Sequence, residues 1–239
     1  SKEKAHLILS GRNESSLKET ADCCERNGSS VVIVPFDLAT EDSITSAVKS
    51  VLTHEIIPDC LFHFGGISQR SLAFETPLKI DRNIFEVNFF GTIALTKAVL
   101  PAMIKNGGGH IAVTSSIVGK FGFPYRSAYA ASKHALHGFF ESLRAECSGD
   151  NIRISMIVPG RIRTDISINA ITKNGTAHGK TDKGLAKGMN PEKSANVICR
   201  KLKNEHKEIL VGGNELLMVY IHRFIPKLYY FLATRLKPL

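Results

Sequence analysis

The chain has 239 residues, of which 43% are hydrophobic and 22% charged, and its formal net charge is +9. This composition predicts one globular domain with a large core and excludes a disordered chain. The basic residues are scattered and accompany no nucleic-acid recognition motif. We therefore expect no nucleic-acid partner and assign the positive charge to a phosphate-bearing ligand or an anionic lipid surface.

The cysteines and histidines indicate neither a disulfide framework nor a metal site. The five cysteines are odd in number and show no metal-type spacing, and the adjacent pair Cys23 and Cys24 cannot easily form a bond. His134 and His137 share a helix face without a carboxylate or cysteine cluster. We expect no metal and a reducing, cytoplasmic compartment.

Short apolar runs alternate with amphipathic helical patterns along the chain. Strands are predicted at 6–10, 31–36, 60–64, 110–115, 152–158 and 208–211, and helices at 14–27, 42–54, 82–105, 127–148 and 191–204. This order predicts an α/β fold with a Rossmann-type doubly wound parallel sheet. Ligands bind such sheets beyond the carboxyl ends of the strands, where Ser116, Gly65 and Pro159 are expected.

Three residues have the spacing of a proton-transfer site. Tyr129 and Lys133 are four residues apart, so on a helix both side chains reach the same cleft, and Ser116 lies thirteen residues before the tyrosine. A cation roughly 4 Å away would lower the tyrosine pKa by about three units, to near 7. Each residue alone also fits a helix cap, a turn or chance.

The surrounding sequence resembles the short-chain dehydrogenase/reductase family. The segments 114–119, 87–91 and 159–164 and the Tyr129/Lys133 pair follow the order and spacing of that family, over nearly the whole chain. The resemblance implies that Ser116 orients a carbonyl or alcohol, that Tyr129 is the acid/base, and that Lys133 also holds the nicotinamide ribose. Asn88 would hold a water molecule in the proton relay.

The sequence departs from the family pattern at its start. A dinucleotide-binding fold opens with a strand, a glycine-rich turn and a helix, whereas Ser1 to Lys4 lead at once into the strand that should be second. We expect residues 1–239 to be one family domain trimmed by roughly 30 residues. The alternative is a variant that binds no cofactor.

The remaining cofactor residues favour NADP(H) over NAD(H). Arg12 stands where an acidic residue would favour NAD, and a guanidinium there fits a 2′-phosphate. By resemblance Asp37 meets the adenine and Thr164 the nicotinamide amide, while His63-Phe64-Gly65-Gly66 replaces the usual Asn-Asn-Ala-Gly. The implied cofactor residues are Gly11, Arg12, Asn13, Asp37, Leu38, Phe64, Gly65, Gly66, Tyr129, Lys133, Pro159, Gly160, Ile162 and Thr164.

Two later segments bear on the substrate. Residues 165–189 contain four glycines among polar residues and predict a mobile lid beside the site. The tail 216–239 contains basic but no acidic residues among many apolar ones, which predicts a peripheral membrane contact; packing on the substrate cleft or another subunit is the alternative. The closest resemblance is to the lipid- and steroid-handling reductases, including 11β-hydroxysteroid dehydrogenase and the acyl-dihydroxyacetone-phosphate reductase group, so a lipophilic small molecule is the expected substrate.

The long helices predict self-association. Helices 82–105 and 127–148 are apolar on more than one face, and the resemblance implies that such helices pair in a homodimer or homotetramer. Two functions remain open: an NADP(H)-dependent oxidoreductase interconverting a carbonyl and an alcohol, and a non-catalytic binding or scaffold protein. A sugar-nucleotide epimerase also uses Tyr-x-x-x-Lys, but such chains are usually longer and lack the Pro159–Thr164 pattern.

Overall fold

The computed structural model describes residues 4–235, which form parallel β-structure flanked by helices. The strands are β1 (His6–Leu9), β2 (Ser30–Ile33), β3 (Cys60–His63), β4 (Gly109–Thr114), β5 (Ile152–Pro159) and β6 (Glu208–Val211). The helices are α1 (Glu14–Arg26), α2 (Glu41–Thr53), α3 (Leu78–Phe85), α4 (Gly91–Lys105), α5 (Ser127–Glu146), α6 (Lys183–Ala186), α7 (Pro191–Lys203), α8 (Leu217–Phe224) and α9 (Pro226–Ala233). The predicted α/β class is confirmed.

Both faces of the larger sheet are covered by helices. In β4, Ile111 and Val113 pack in a cluster with α2, α4 and α5, whereas Ala112 packs with α7 on the other side. Successive strand residues point to opposite faces, so a strand buried on both sides is a continuous apolar run. This packing makes the fold doubly wound.

The strands form two sheets rather than one. β1 pairs with β2, and the second sheet has the order β3-β4-β5-β6. Among residues 4–235, no ladder joins β1 to β3, so each of these strands keeps one unpaired edge. The side chains of Phe62 and Phe64 stack at β3 with their ring centroids 5.9 Å apart, and both are exposed.

Two predicted elements differ from the observed ones by more than two residues at one end. The predicted strand 31–36 ends at Ile33, because Pro35 has no N–H to donate to a ladder. The predicted helix 82–105 starts at Leu78, and between α3 and α4 it passes through a wider π-helical turn at Glu86–Phe90. Such turns are frequent at functional sites, and this one contains Asn88.

The continuous helix Leu78–Lys105 has the length and mean hydropathy, 1.5, that a membrane-spanning helix requires. Its residues Val99 and Met103 are buried in the core, and the core helix of a globular protein can meet the same criterion. Pro226 separates the tail into α8 and α9. The last predicted tail residues, 236–239, including Lys237, lie outside the described part of the chain.

Candidate active site

The ends of three strands bring the candidate residues to one edge of the larger sheet. His63 pairs with Val113, and Thr114 pairs with Ile157. β5 continues two residues further, to Pro159, so the segments beginning at Phe64, Ser115 and Gly160 leave the sheet at the same edge. This is the carboxyl edge, where ligands bind in doubly wound folds.

Ser116 and Tyr129 are both buried at this edge of the sheet. Ser116 follows β4 in an extended conformation, with φ −169° and ψ 163°, and its hydroxyl accepts a hydrogen bond from the Val118 N–H at 3.4 Å. Tyr129 lies in the first turn of α5 and is only 7% exposed. The Ser116 side chain acts on the pKa of this phenol as a hydrogen-bond donor. The two residues form a polar pair within an otherwise apolar cluster.

The predicted lowering of the Tyr129 pKa is wrong. Burial raises the pKa of Tyr129, although the hydrogen bond from Ser116 and the charges of Arg126 and Arg70 act to lower it. The phenol therefore holds its proton at neutral pH. Spacing along α5 predicts a cation near the hydroxyl, but the cost of burying a phenolate outweighs the effect of that charge.

Lys133 lies beside the tyrosine on α5 but contacts the backbone of β4. Its Nζ donates to the Thr114 carbonyl at 2.8 Å and is 6.0 Å from the centroid of the Tyr129 ring. Burial lowers the pKa of Lys133 to about 8. The ammonium is therefore held at the strand end by a single hydrogen bond to protein, which leaves donors for a ligand.

Asn88 braces the turn after β3. It is completely buried; its side chain accepts from the Ile67 N–H at 2.8 Å and donates to the Ile67 carbonyl at 2.9 Å and the Ser132 hydroxyl at 3.0 Å. A Cβ added at Gly66 would lie 3.0 Å from Asn88 Oδ1 and 3.4 Å from Lys133 Nζ. Glycine at this position lets the chain pass close to both side chains.

The predicted phosphate-recognition residues follow β1. Gly11 accepts a hydrogen bond from the Phe36 N–H, which ties the end of β1 to the segment after β2. Arg12, Asn13 and Glu14 line an open surface depression. Asn13 is the N-cap of α1, because its side chain accepts from the Ser16 N–H at 3.1 Å. The side-chain oxygen of Asn13 is thus occupied by a hydrogen bond to the helix. The Arg12 side chain remains exposed.

Of the residues predicted to meet the adenine, Leu38 lies beside the glycines that follow β3. The Asp37 carboxylate accepts from the Ala39 N–H at 3.0 Å. A Cβ added at Gly65 would lie 2.5 Å from Leu38 Cδ1, so Gly65 and Leu38 are neighbours. Phe64 is 62% exposed. In place of the family's asparagine, His63 bonds Thr96 of α4 at 2.9 Å and ties β3 to that helix.

The segment after β5 is held by the carboxylate of Glu215, which belongs to no recognisable sequence motif. Pro159 ends β5, and the Glu215 side chain accepts from the Arg161 N–H at 2.6 Å and the Gly213 N–H at 3.0 Å. Burial acts to raise the pKa of Glu215, but these N–H groups lower it overall. Ile162 pairs with Met189, and Thr164 is exposed. No described contact joins Pro159, Gly160, Ile162 or Thr164 to Tyr129 within residues 4–235.

A second buried cluster beside Tyr129 has no sequence motif. The Asp182 carboxylate pairs with Arg70 at 2.6 Å and with Arg126 at 2.7 Å, and all three side chains are mostly buried. The side chain of Gln69 is completely buried and accepts a hydrogen bond from the first turn of α5. These contacts join residues far apart in sequence, so no local spacing could have revealed them.

The residues present fit a nicotinamide dinucleotide. A side chain at Gly65 would displace the end of Leu38, and one at Gly66 would be tight against Asn88 and Lys133, so glycine keeps this turn open. Arg12 offers an exposed guanidinium, and Lys133 has donors beyond its one described hydrogen bond. Within residues 4–235, no group of three or more His, Cys, Asp or Glu side chains could hold a metal ion.

The family model described as short chain dehydrogenase matches residues 1–175. The chain belongs to the short-chain dehydrogenase/reductase family. It is 40% identical over 235 residues to Dehydrogenase/reductase SDR family member 7B of Xenopus laevis, covering 95% of the chain and 72% of that protein. It is 42% identical over 204 residues to the family protein 7-like of Drosophila melanogaster, covering 85% of the chain and 63% of that protein.

Solved structures of family members share the fold. A short-chain dehydrogenase/reductase of Burkholderia phymatum in complex with NAD has a TM-score of 0.81 at 19% identity, covering 98% of this chain and 87% of that one. An alcohol dehydrogenase of Thermococcus sibiricus complexed with 5-hydroxy-NADP has a TM-score of 0.76 at 22% identity, covering 89% and 88%. At these identities the likeness shows the fold alone.

Proposed function

We propose that the protein is an NADP(H)-dependent oxidoreductase that interconverts a carbonyl and an alcohol. The observation that carries this proposal is the buried pair of Tyr129 and Ser116, with Lys133 on the same helix as the tyrosine at the carboxyl edge of the sheet. Membership of a family of oxidoreductases supports the reaction class.

Each side chain has a role that its contacts support. Ser116 holds the substrate oxygen, and Tyr129 transfers a proton to or from it. Because burial raises the pKa of Tyr129, the phenol is protonated at neutral pH and suits reduction of a carbonyl. Lys133 holds the cofactor ribose, and Asn88 keeps the turn at Ile67 in place. When bound, the nicotinamide cofactor supplies or accepts the hydride.

The preference for NADP(H) rests on Arg12. The two structural relatives hold different nucleotides, one NAD and one 5-hydroxy-NADP, and therefore do not decide the preference. Arg12 is exposed after β1, where a guanidinium can pair with a phosphate. The other proposed cofactor contacts are those predicted from the sequence, at the ends of β1 to β5.

We infer a lipophilic substrate and a peripheral membrane contact from the tail. Its inward side chain Tyr229 is 5% exposed and packs against Phe121, next to the cluster that contains Tyr129. Its outward side chains are apolar: Leu217, Tyr220, Phe224, Ile225, Leu228, Tyr230 and Phe231 are all exposed. The tail thus lies between the site and a surface suited to a membrane, with basic residues and no acids from 216 onward.

Self-association is the last part of the proposal. Phe89 and Phe139 of neighbouring helical segments meet edge-on with ring centroids 6.2 Å apart, and both remain partly exposed. Phe90 beside them is 48% exposed. A homodimer or a tetramer built from it would cover this aromatic face.

The decisive experiment replaces Tyr129 in the full-length protein. We expect Tyr129→Phe to lower NADPH-dependent reduction of phenanthrenequinone, an apolar carbonyl probe, by at least about a hundredfold, since it removes only the proton donor. NADPH binding, followed by fluorescence, should be retained. Tyr125→Phe, four residues earlier and partly exposed, is the matched control and should keep its activity. Full activity of Tyr129→Phe would reject the mechanism, and an unmutated protein without NADPH binding would favour the scaffold function.

A further inference from the structure

The helix that carries Tyr129 lacks a cap of its own. α5 begins at Ser127, and its N-cap residue Arg126 makes no side-chain capping bond. The first N–H groups of a helix have no partner within the helix, and leaving a buried one unpaired is costly. Ala128 and Tyr129 are both buried, so their N–H groups need an acceptor from elsewhere in the chain.

Gln69 supplies that acceptor. Its Oε1 accepts from the Ala128 N–H at 2.9 Å and from the Tyr129 N–H at 3.3 Å. These are the positions that an N-cap side chain normally serves, but Gln69 is 59 and 60 residues away in sequence. Because both N–H groups are donors, the oxygen of the Gln69 amide, and not its nitrogen, must face them.

The other end of the amide is held as well. Gln69 Nε2 donates to the hydroxyls of Ser71, Thr76 and Ser127 at 3.3 to 3.4 Å. The side chain is 0% exposed. With both ends bonded and no solvent around it, Gln69 has one orientation, and so does the turn of helix that it caps.

The backbone on both sides of Gln69 is joined to the segment 165–189. The Ile171 N–H donates to the Ser68 carbonyl at 2.8 Å, and the Arg70 N–H donates to the Ile171 carbonyl at 2.9 Å. The buried pair of Arg70 with Asp182 makes a second attachment. The segment 165–189 is therefore hydrogen-bonded to the two neighbours of Gln69, the residue that caps α5.

We propose that Gln69 is a positioning residue for the proposed reaction: it caps α5 from outside the helix and holds Tyr129 against Ser116. The attachment of Ile171 and Asp182 to its neighbours couples the placement of the 165–189 segment to that of the phenol. This inference rests on the proposed function of Tyr129. Gln69 acts through the helix and not by contact with the substrate.

Two substitutions separate the capping oxygen from the rest of the side chain. Gln69→Met keeps the approximate volume but removes the acceptor, and Gln69→Glu keeps an acceptor oxygen for both N–H groups. For phenanthrenequinone reduction by the full-length protein, we expect Gln69→Met to lower kcat at least tenfold with the KM for NADPH unchanged. Gln69→Glu should restore kcat to within about threefold of the unmutated value.

A third variant controls for loss of any buried hydrogen bond. Ser155→Ala removes the 2.8 Å bond to His110 in the middle of the sheet, away from α5. It should lower the melting temperature but not kcat. Equal kcat losses in Gln69→Met and Ser155→Ala, or no recovery in Gln69→Glu, would overturn the inference. If Tyr129→Phe were fully active, the proposed function would fail instead, so the two failures are distinguishable.

Discussion

At the scale of single residues, burial outweighs the pairwise interactions that spacing suggests. Tyr129 and Lys133 do share one face of α5, yet the nearest hydrogen-bond acceptor of Lys133 is a strand carbonyl rather than the phenol. Burial raises the pKa of Tyr129 and lowers that of Lys133. In both residues burial shifts the pKa toward the neutral form, because a low-dielectric environment penalises whichever form is charged. With a pKa of about 8, Lys133 still carries its charge for the most part at pH 7.

The cofactor preference can be tested at one exposed residue. Arg12→Ala should weaken NADPH binding by roughly ten- to a hundredfold, the effect of losing a charge-assisted contact of about 1.5 to 3 kcal/mol. NADH binding should change little, because it lacks the 2′-phosphate. Arg26→Ala, at the other end of α1, is the matched control and should affect neither. Equal losses for both nucleotides, measured by titration, would contradict the assignment.

Buried histidines predict acid sensitivity. Burial lowers the pKa of His63 to about 3, so the folded protein keeps it neutral, whereas the unfolded chain protonates it near its usual value of 6.5. Between pH 6.5 and 3 the unfolded state binds more protons, and stability must fall as pH falls. From pH 7 to pH 5 the loss is about 2 kcal/mol for this residue.

The variant His63→Asn should lose about 2 kcal/mol less stability than the unmutated protein when the pH falls from 7 to 5. Urea unfolding at the two pH values measures this difference. The remaining pH dependence would include His137, whose pKa burial also lowers to about 3. An unchanged drop in His63→Asn would show that His63 is protonated in the folded state.

The two tail helices have one face packed on the protein and one face exposed to solvent. Pro226 divides the tail into α8 and α9, and Tyr229 of α9 packs inward while Phe224 and Phe231 are 73% and 54% exposed. The inward face is consistent with packing on the protein, and the outward face is consistent with a membrane contact. The inward face belongs to the core beside the site, and the outward face is free for a lipid surface.

The membrane proposal can be tested on the outward face without removing Tyr229. Phe224→Ser with Phe231→Ser should lower partitioning onto phosphatidylserine-containing vesicles more than about tenfold, since two aromatic side chains no longer enter the lipid. Phe74→Ser with Leu78→Ser, also exposed, is the matched control. Flotation measures the partitioning, and equal flotation of both double variants would count against a membrane-binding tail.

At the scale of the whole molecule, the exposed aromatic residues on the helical layer predict assembly. Phe140 is fully buried, but Phe90 is 48% exposed next to the partly exposed Phe89 and Phe139. A single subunit leaves this face open to water, which favours pairing of two copies.

Light scattering at micromolar concentration should therefore give the mass of a dimer or a tetramer. Phe90→Glu should shift the protein toward monomer, because a charge would be buried in the contact. Phe74→Glu, at an 84% exposed position elsewhere, should leave the mass unchanged. A strictly monomeric unmutated protein would disprove the assembly.

Local sequence patterns were enough to predict the family, the α/β class and the limits of the longer helices. Helical spacing places Tyr129 and Lys133 on one face, and Pro191 marks a helix start. Asn88, Ser116 and Tyr129 were identifiable because their motifs are contiguous. Their roles were inferred from resemblance and remain proposals.

The contacts that support the site, and the protonation of its residues, depend on the folded chain. Gln69 is 60 residues from Tyr129, and Asp182 is 112 residues from Arg70, so their contacts exist only after the chain has folded. The direction of the Tyr129 pKa likewise depends on burial, which involves every element packed around α5. Hydrogen bonds and desolvation depend on distance in space, and spacing along a chain reports that distance only within one element.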